Sequence, residues 1–259
     1  MELVNTVWVA ALILFFYMTA LFLFAMQRQD NSIADVAWGL GFILVAWSTL
    51  FLDGSFTPRQ LIASLLVFIW GLRLSVRIYL RNRGKGEDVR YRQWREKWGK
   101  SFIIRSYLQV FILQGCILLL NVSPVLVINT YDSGNSGLLD FLGVFLWVLG
   151  FCFESLSDWQ LDRFIKDPGN RGKIIDRGLW RYSRHPNYFG EVTMWWGLYV
   201  LALSVPRGWI SIIGPLTITF MILFVSGIPM TEKLMEKNPA FADYKKRTSI
   251  FIPWFPKED

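Results

Sequence analysis

Two segments of the chain mix basic side chains with glycine, asparagine and aromatic residues, a combination that suits phosphate binding. Residues 81–100 read RNRGKGEDVRYRQWREKWGK, and residues 157–191 read SDWQLDRFIKDPGNRGKIIDRGLWRYSRHPNYFGE. Arginine and lysine form charge-assisted hydrogen bonds with phosphate oxygens, and glycine lets backbone amides approach them closely. A helix that begins after Pro186 would add free amide groups. The pattern predicts a ligand with several phosphate groups, such as a dinucleotide.

Ionisable side chains also lie within or at the edge of long apolar runs. Such residues are costly in a membrane and usually face a cavity or one another. Two hypotheses stay open: ion pairs that join helices, for example Asp35 with Arg73, or a polar cavity that opens beside the basic segments. The residues concerned are Asp35, Arg73, Arg77, Glu154, Asp158 and Glu191.

Several kinds of site are excluded by what the sequence lacks. A single histidine and two cysteines leave no ligand set for a metal ion, so we expect none. No G-x-G-x-x-G element is present, so a dinucleotide would have to bind within a helical bundle. We expect no nucleic-acid partner, because the basic segments are short and flank apolar runs. Anchoring to anionic lipid headgroups remains an alternative for residues 81–100.

The elements that must position these residues are membrane-spanning helices. Hydrophobic residues make up 53% of the 259 residues and charged residues only 18%, and the mean hydropathy is +0.35. A lone span can satisfy its backbone hydrogen bonds only as a helix. The sequence therefore predicts an all-α membrane protein, one domain over residues 1–259, with an amphipathic helix at Met230–Arg247. Its seven transmembrane helices are Val4–Met26, Ile33–Leu52, Leu61–Leu80, Phe102–Ile128, Leu138–Gln160, Tyr188–Val205 and Trp209–Ile228.

The positive charge is strongly one-sided in this arrangement. Of the 27 Lys and Arg residues, 22 lie in the connections and tail on one side, although the net charge is only +7. By the positive-inside rule that side is cytoplasmic, so the N-terminus is outside and the C-terminus cytoplasmic. We expect an integral membrane protein that contacts membrane lipids and whose two basic segments are cytoplasmic.

The run from Gly178 to Glu191, GLWRYSRHPNYFGE, resembles the C-terminal signature of the steroid 5-alpha-reductase family. The whole chain resembles the bacterial branch described as domain of unknown function 1295, from Asp35–Gly39 (DVAWG) through Trp70–Leu74 (WGLRL) to Phe251–Pro253 (FIP). The resemblance implies a seven-helix enzyme of the bacterial inner membrane, whose active-site loops are cytoplasmic and which binds NADPH from the cytoplasmic side. It also implies reduction of the carbon–carbon double bond of an enone in a steroid or similar lipid.

The resemblance carries cofactor-binding roles onto particular residues. Asn187, Glu191 and Asp158 match positions in the family's cofactor pocket. Asn82-Arg83-Gly84-Lys85 matches an Asn-Arg-Gly-Arg run that helps to hold the cofactor, although Lys85 lacks the bidentate fork of arginine. The other cofactor-binding residues expected in the second basic segment are Arg171, Lys173, Arg184, His185 and Tyr188.

The sequence departs from the animal enzymes at the group that contacts the ketone. They carry a Gln-Glu pair in the second span, where this chain has only Asp35, and the family tyrosine has no clear match in the third span. A donor at the carbonyl oxygen is needed, because negative charge develops there when a hydride is added to the β carbon. The candidates are a neutral, buried Asp35, Arg73 and Tyr79.

Two other functions compete with the reductase. The first is an S-adenosylmethionine-dependent methyltransferase of the isoprenylcysteine or phospholipid type, which shares the Arg184-His185-Pro186 motif and would use Glu232 as its acidic partner. A methyl donor without phosphates does not need two basic clusters, which favours the reductase. The second is a membrane protein without enzymatic activity, whose charges are structural.

Overall fold

The computed structural model describes residues 2–132 and 134–257, and its regular elements in these ranges are helices, with no strand. This confirms the all-α prediction. The chain divides into two compact units, each described by itself below. The first unit comprises Met1–Gly137 and Ala202–Gly214, and the second comprises Leu138–Leu201 and Pro215–Asp259.

In the first unit, the second and third helices pack closely along much of their length. The crossing has no room for side chains: a Cβ atom on Gly39 would lie 2.4 Å from the Gly71 carbonyl oxygen. The third helix begins with a capping box in which Thr57 and Gln60 satisfy each other's backbone amides. The helices are α1 (Leu3–Arg28), α2 (Ile33–Asp53), α3 (Pro58–Asn82), α4 (Val89–Trp98), α5 (Phe102–Arg105), α6 (Leu113–Asn121) and α7 (Ser123–Tyr131).

In the second unit, two helices cross through glycine pairs. A Cβ on Gly150 would lie 2.5 Å from the Gly190 carbonyl oxygen, and one on Gly143 would lie 2.7 Å from the Leu201 amide nitrogen. Small residues at the crossing let the backbones approach as they do in membrane helix pairs. The helices that lie wholly or mainly in this unit are α8 (Leu138–Lys166), α9 (Pro186–Ala202), α10 (Ile213–Phe220), α11 (Ile228–Met235) and α12 (Ala240–Arg247).

Six helical stretches of the described residues are long and apolar enough to cross a membrane. They are Leu3–Arg28, Ile33–Asp53, Pro58–Asn82, Val89–Asn121, Leu138–Lys166 and Gly208–Met235. The remaining predicted span corresponds to α9, a helix of 17 residues, which is at the short end of the range that spans a bilayer. Seven crossings and the orientation of the termini therefore stay predictions.

Two local predictions were wrong. The tail Met230–Arg247 is not one amphipathic helix but two, α11 and α12, because Pro239 disfavours helical geometry at Asn238 and the Asn238 side chain accepts a hydrogen bond from the Ala240 amide. The predicted fourth span, Phe102–Ile128, is also interrupted: α6 ends at Asn121, and Pro124 lies in the first turn of a new helix.

Candidate functional site

In the second unit, α8 and α9 bring Asp158 and Asn187 together. The Asn187 side-chain amide donates to Oδ1 of Asp158 at 3.4 Å, and Asp158 is only 3% exposed. The glycine crossing of α8 and α9 sets this distance, since both residues lie on those helices. Two residues that the motif resemblance assigned to one cofactor pocket are therefore neighbours.

The side-chain carbonyl oxygen of Asn187, Oδ1, is buried and has no hydrogen-bond partner among the described residues. Buried carbonyl groups are normally satisfied, so an orphan oxygen needs an explanation, and one explanation is a missing ligand. A primary carboxamide, such as that of a nicotinamide ring, would supply an N–H donor to this unpartnered oxygen of Asn187. Glu191 is half-buried and lies four residues further along α9, on the same face of the helix as Asn187.

Arg184 and His185 are buried just before α9 and bind the tail of the second unit. Arg184 Nε donates to Glu232 Oε1 at 2.7 Å, and His185 Nε2 lies 3.3 Å from the same oxygen. Arg184 Nη1 also donates to the carbonyl oxygens of Lys245 and Thr248, at 3.0 and 2.8 Å. The guanidinium therefore fixes this loop to α11 and α12.

His185 is neutral in this environment. Burial lowers the pKa of its imidazole to about 4, because it outweighs the opposing effect of the Glu232 carboxylate. A carboxylate paired with Arg184 can only accept, so the neutral ring carries its proton on Nε2. The His185 ring also stacks on Tyr188, with centroids 5.4 Å apart and an interplanar angle of 9°.

Further contacts hold the second basic segment in place. Burial raises the pKa of the Tyr244 hydroxyl, which donates to the Trp180 carbonyl oxygen at 2.5 Å. Tyr188 and Thr231 share a hydrogen bond at 3.1 Å. The predicted phosphate ligands Arg171 and Lys173 are exposed, and between them Gly172 accepts a bond from Asn238 at 2.6 Å.

In the first unit, the Asn82–Lys85 run forms a tight turn after α3. The Lys85 amide donates to the Asn82 carbonyl oxygen at 3.0 Å, and Gly84 has a φ of +78° that a side chain would strain. Arg83 and Lys85 are exposed, whereas the side-chain nitrogen of Asn82 is buried and has no hydrogen-bond partner among the described residues. The turn thus presents two positive charges beside a spare amide donor.

Asp35, in the first turn of α2, is held by two residues of α4. Arg90 Nη2 donates to Asp35 Oδ2 at 2.6 Å, and the Tyr91 hydroxyl donates to Asp35 Oδ1 at 2.6 Å. Both oxygens of Asp35 are acceptors in this arrangement.

Arg90 also binds a second carboxylate, that of Asp88, through Nε at 3.0 Å. Burial alone would raise the pKa of Asp88, but the hydrogen bonds and the charge of Arg90 outweigh burial, so the pKa of Asp88 lies below its ordinary value.

The two residues just before α2 bind the segment before α4 at two more points. The Asn31 amide donates to Glu87 at 3.0 Å, and the Asp88 amide donates to the Ser32 hydroxyl at 2.7 Å. The other predicted catalytic residues lie on α3: Arg73 is half-buried, and Tyr79 is 53% exposed.

Sequence reasoning missed the partners of Asp35. Arg90 and Tyr91 lie 55 and 56 residues away along the chain, in a segment whose basic residues looked alike. One sequence signal pointed to this segment: Asp88 is a typical N-cap residue, and it starts α4 by accepting a hydrogen bond from the Arg90 amide, which places Arg90 and Tyr91 in the first turn of that helix.

Comparison with known proteins identifies relatives. The chain is 26% identical over 229 residues to an uncharacterized protein of Schizosaccharomyces pombe, which covers 75% of this chain and 63% of that protein. It is 37% identical over 113 residues to 3-oxo-5-alpha-steroid 4-dehydrogenase 1 of Bos taurus, covering 43% of this chain and 40% of the relative. The human 3-oxo-5-alpha-steroid 4-dehydrogenase 1 is 35% identical over 116 residues, covering 44% and 40%.

These matches span from two fifths to just under two thirds of the relatives' lengths. No solved structure matches the chain. The profile of the family described as protein of unknown function DUF1295 matches residues 21–248, which is most of the sequence. The chain therefore belongs to the DUF1295 family and is homologous to the steroid 5-alpha-reductases.

Proposed function

We propose that this protein is an integral membrane oxidoreductase that uses NADPH to reduce the carbon–carbon double bond of a lipid enone, a 3-oxo-Δ4-steroid or a similar terpenoid. The homology to the 3-oxo-5-alpha-steroid 4-dehydrogenases supports the reaction class. The observation that carries the cofactor assignment is the buried, unpartnered carbonyl oxygen of Asn187 beside Asp158. A carboxamide-bearing ring fits there as a donor to Asn187.

The remaining cofactor-binding residues have roles that follow from their surroundings. In the proposal, the exposed Arg171 and Lys173 of the second unit bind phosphate groups. In the first unit, the exposed Arg83 and Lys85 keep the phosphate-binding role that the resemblance assigns to their run, with Asn82 as an additional donor. Arg184 and His185 are positioning residues, because their donors are directed to the tail and hold the start of α9. Bound NADPH supplies the hydride that the double bond receives.

The Asp35 cluster supplies the donor for the carbonyl oxygen in this proposal. When the β carbon of an enone receives a hydride, negative charge develops on that oxygen, and a preorganised donor stabilises it. Arg90 Nη1 has no hydrogen-bond partner among the residues that the structure describes, while Nε and Nη2 are held by Asp88 and Asp35. Asp35 thus orients Arg90 and Tyr91, and Arg73 and Tyr79 remain alternative donors.

A turnover screen tests this function. Purified protein in detergent is mixed with NADPH and a panel of steroid and terpenoid enones, and NADPH oxidation is followed at 340 nm with mass analysis of the product. We expect at least one enone to gain two hydrogens with matching NADPH consumption. Transfer of a methyl group from S-adenosylmethionine to a prenylated or phospholipid acceptor, without NADPH oxidation, would instead establish the methyltransferase.

A further inference from the structure

The end of α8 and the turn at Gly178 line an open pocket in the second unit, and none of the proposed cofactor residues contributes to its lining. Its volume is about 500 Å³. We call it the α8-end pocket, and the residues that matter are Trp159, Arg163, Phe164, Asp167, Arg177 and Gly178.

Two arginines in the α8-end pocket are held against aromatic walls. The Arg163 guanidinium lies 5.4 Å from the Trp159 ring centroid, and that of Arg177 lies 5.5 Å from the Phe164 ring centroid. Within residues 2–132 and 134–257, neither arginine forms an ion pair with a carboxylate. Both guanidinium groups therefore keep their donors available for an anion.

The charged side chains that line the pocket have a net charge of about +1, which matches a ligand with one negative charge. Arg163 and Arg177 contribute two positive charges and Asp167 one negative charge. The Asp167 carboxylate accepts bonds from the Gly169 amide at 2.9 Å and from the Asn170 side chain at 3.2 Å, so it faces its own turn. The net charge of the lining complements a phosphodiester, which carries a single negative charge.

The position of the pocket along the membrane normal indicates which kind of molecule contains that phosphodiester. The 29 residues of α8 extend over about 43 Å, whereas the hydrocarbon core is about 30 Å thick. The first turn of α8 exposes large apolar side chains that suit contact with lipid tails, since Leu138 and Phe141 are each 73% exposed. About 20 residues from that end bring the helix to the opposite headgroup region near Trp159, where tryptophan and arginine are enriched.

We propose that the α8-end pocket binds the headgroup of an anionic phospholipid. Arg163 and Arg177 bind the phosphodiester, and the Trp159 and Phe164 rings contact the glycerol backbone and first acyl carbons. The net single positive charge of the lining favours a singly charged lipid such as phosphatidylglycerol over the more highly charged phosphatidic acid. This site does not depend on the reductase function, and its failure would leave that proposal intact.

The test is native mass spectrometry of the detergent-purified full chain with added phosphatidylglycerol or phosphatidylcholine. We expect a phosphatidylglycerol-selective adduct whose affinity falls about thirtyfold in Arg163→Gln/Arg177→Gln, since each basic residue near an anionic lipid contributes roughly fivefold. The matched control is Lys166→Gln/Arg181→Gln, which removes two exposed charges of the same unit outside the pocket. We expect it to lose less than about threefold, because general attraction to the membrane is screened.

A charge-preserving variant guards against misfolding. Arg163→Lys/Arg177→Lys should keep most of the phosphatidylglycerol affinity, and all three variants should keep the wild-type thermal midpoint. Equal losses in the pocket and control variants would overturn the proposal, because they would mean non-specific attraction only. Retained lipid binding with lost NADPH binding in the Gln variant would also overturn it and assign the pocket to the nucleotide.

Discussion

Asp35 is the residue on which the proposed chemistry depends most. Its carboxylate holds both Arg90 and Tyr91 at 2.6 Å. Asp35→Asn keeps the shape but loses the charge that orients Arg90, so we expect turnover to fall about 10²–10³-fold, as when an oxyanion donor is lost. NADPH affinity should stay within about threefold. The measurement is steady-state turnover beside a fluorescence titration of the cofactor.

The control for Asp35→Asn is Asp243→Asn, which changes an exposed carboxylate on α12. It should leave both turnover and affinity unchanged. Tyr91→Phe tests the same cluster without altering its charge, and we expect an intermediate loss of turnover. Wild-type turnover in Asp35→Asn would remove Asp35 from the reaction and leave Arg73 and Tyr79 as the candidates.

His185 predicts a pH dependence of stability. Because burial lowers its pKa to about 4 from 6.5, the unfolded state binds a proton that the folded state does not. The stability is fully present above about pH 6.5 and is lost as the pH falls towards 4, with a slope of up to about 1.4 kcal/mol per pH unit. Thermal or denaturant unfolding in detergent between pH 7 and 5 measures it.

The variant His185→Gln should lose this slope, and the assignment is unambiguous because the chain has a single histidine. Above pH 5 most carboxylates remain ionised in both states and contribute little. Equal slopes in wild type and His185→Gln would show that the imidazole is not the group that titrates.

At the scale of elements, the glycine crossing of α8 and α9 sets the site. A Cβ on Gly150 would meet the Gly190 carbonyl oxygen at 2.5 Å and the Met194 amide nitrogen at 2.6 Å, both backbone atoms that cannot move aside alone. Gly150→Ala should therefore cost about 1–3 kcal/mol of unfolding free energy and weaken NADPH binding. Thermal unfolding in detergent checks the first effect.

Gly137→Ala is the matched control, because a Cβ at Gly137 meets no atom within 4 Å. We expect its unfolding midpoint to equal that of the wild type. A wild-type midpoint for Gly150→Ala as well would mean that α8 and α9 do not cross at these glycines.

The long apolar helices could be predicted from hydropathy, because a span must bury its backbone polar groups in a helix whatever its neighbours are. The glycine crossing could not, since Gly143, Gly150, Gly190 and Gly197 are informative only once two helices are known to face each other. In the same way, motif spacing indicated Asp158 and Asn187, whereas the Asp35 pairing with Arg90 depends on a long-range contact that local pattern does not encode.

At the scale of the whole molecule, the charge distribution predicts membrane topology. With 22 of 27 basic residues on one side, seven crossings place the N-terminus outside and the C-terminus in the cytoplasm. Reporter fusions measure this: one after Lys166 should be cytoplasmic, one after Val205 outside, and one at the C-terminus cytoplasmic. A fusion after Val205 that reports the cytoplasm would show that α9 does not cross the membrane.

The proposed function depends above all on the binding of a nicotinamide cofactor through Asn187. The most direct measurement is a calorimetric titration of the folded, detergent-purified protein with NADPH, NADH and S-adenosylmethionine, repeated with Asn187→Ala and with the exposed control Asn5→Ala. We predict saturable NADPH binding that weakens about tenfold in Asn187→Ala, because a buried hydrogen bond is lost, and is unchanged in Asn5→Ala. Folded protein that binds no NADPH, or that binds S-adenosylmethionine in its place, would contradict the account.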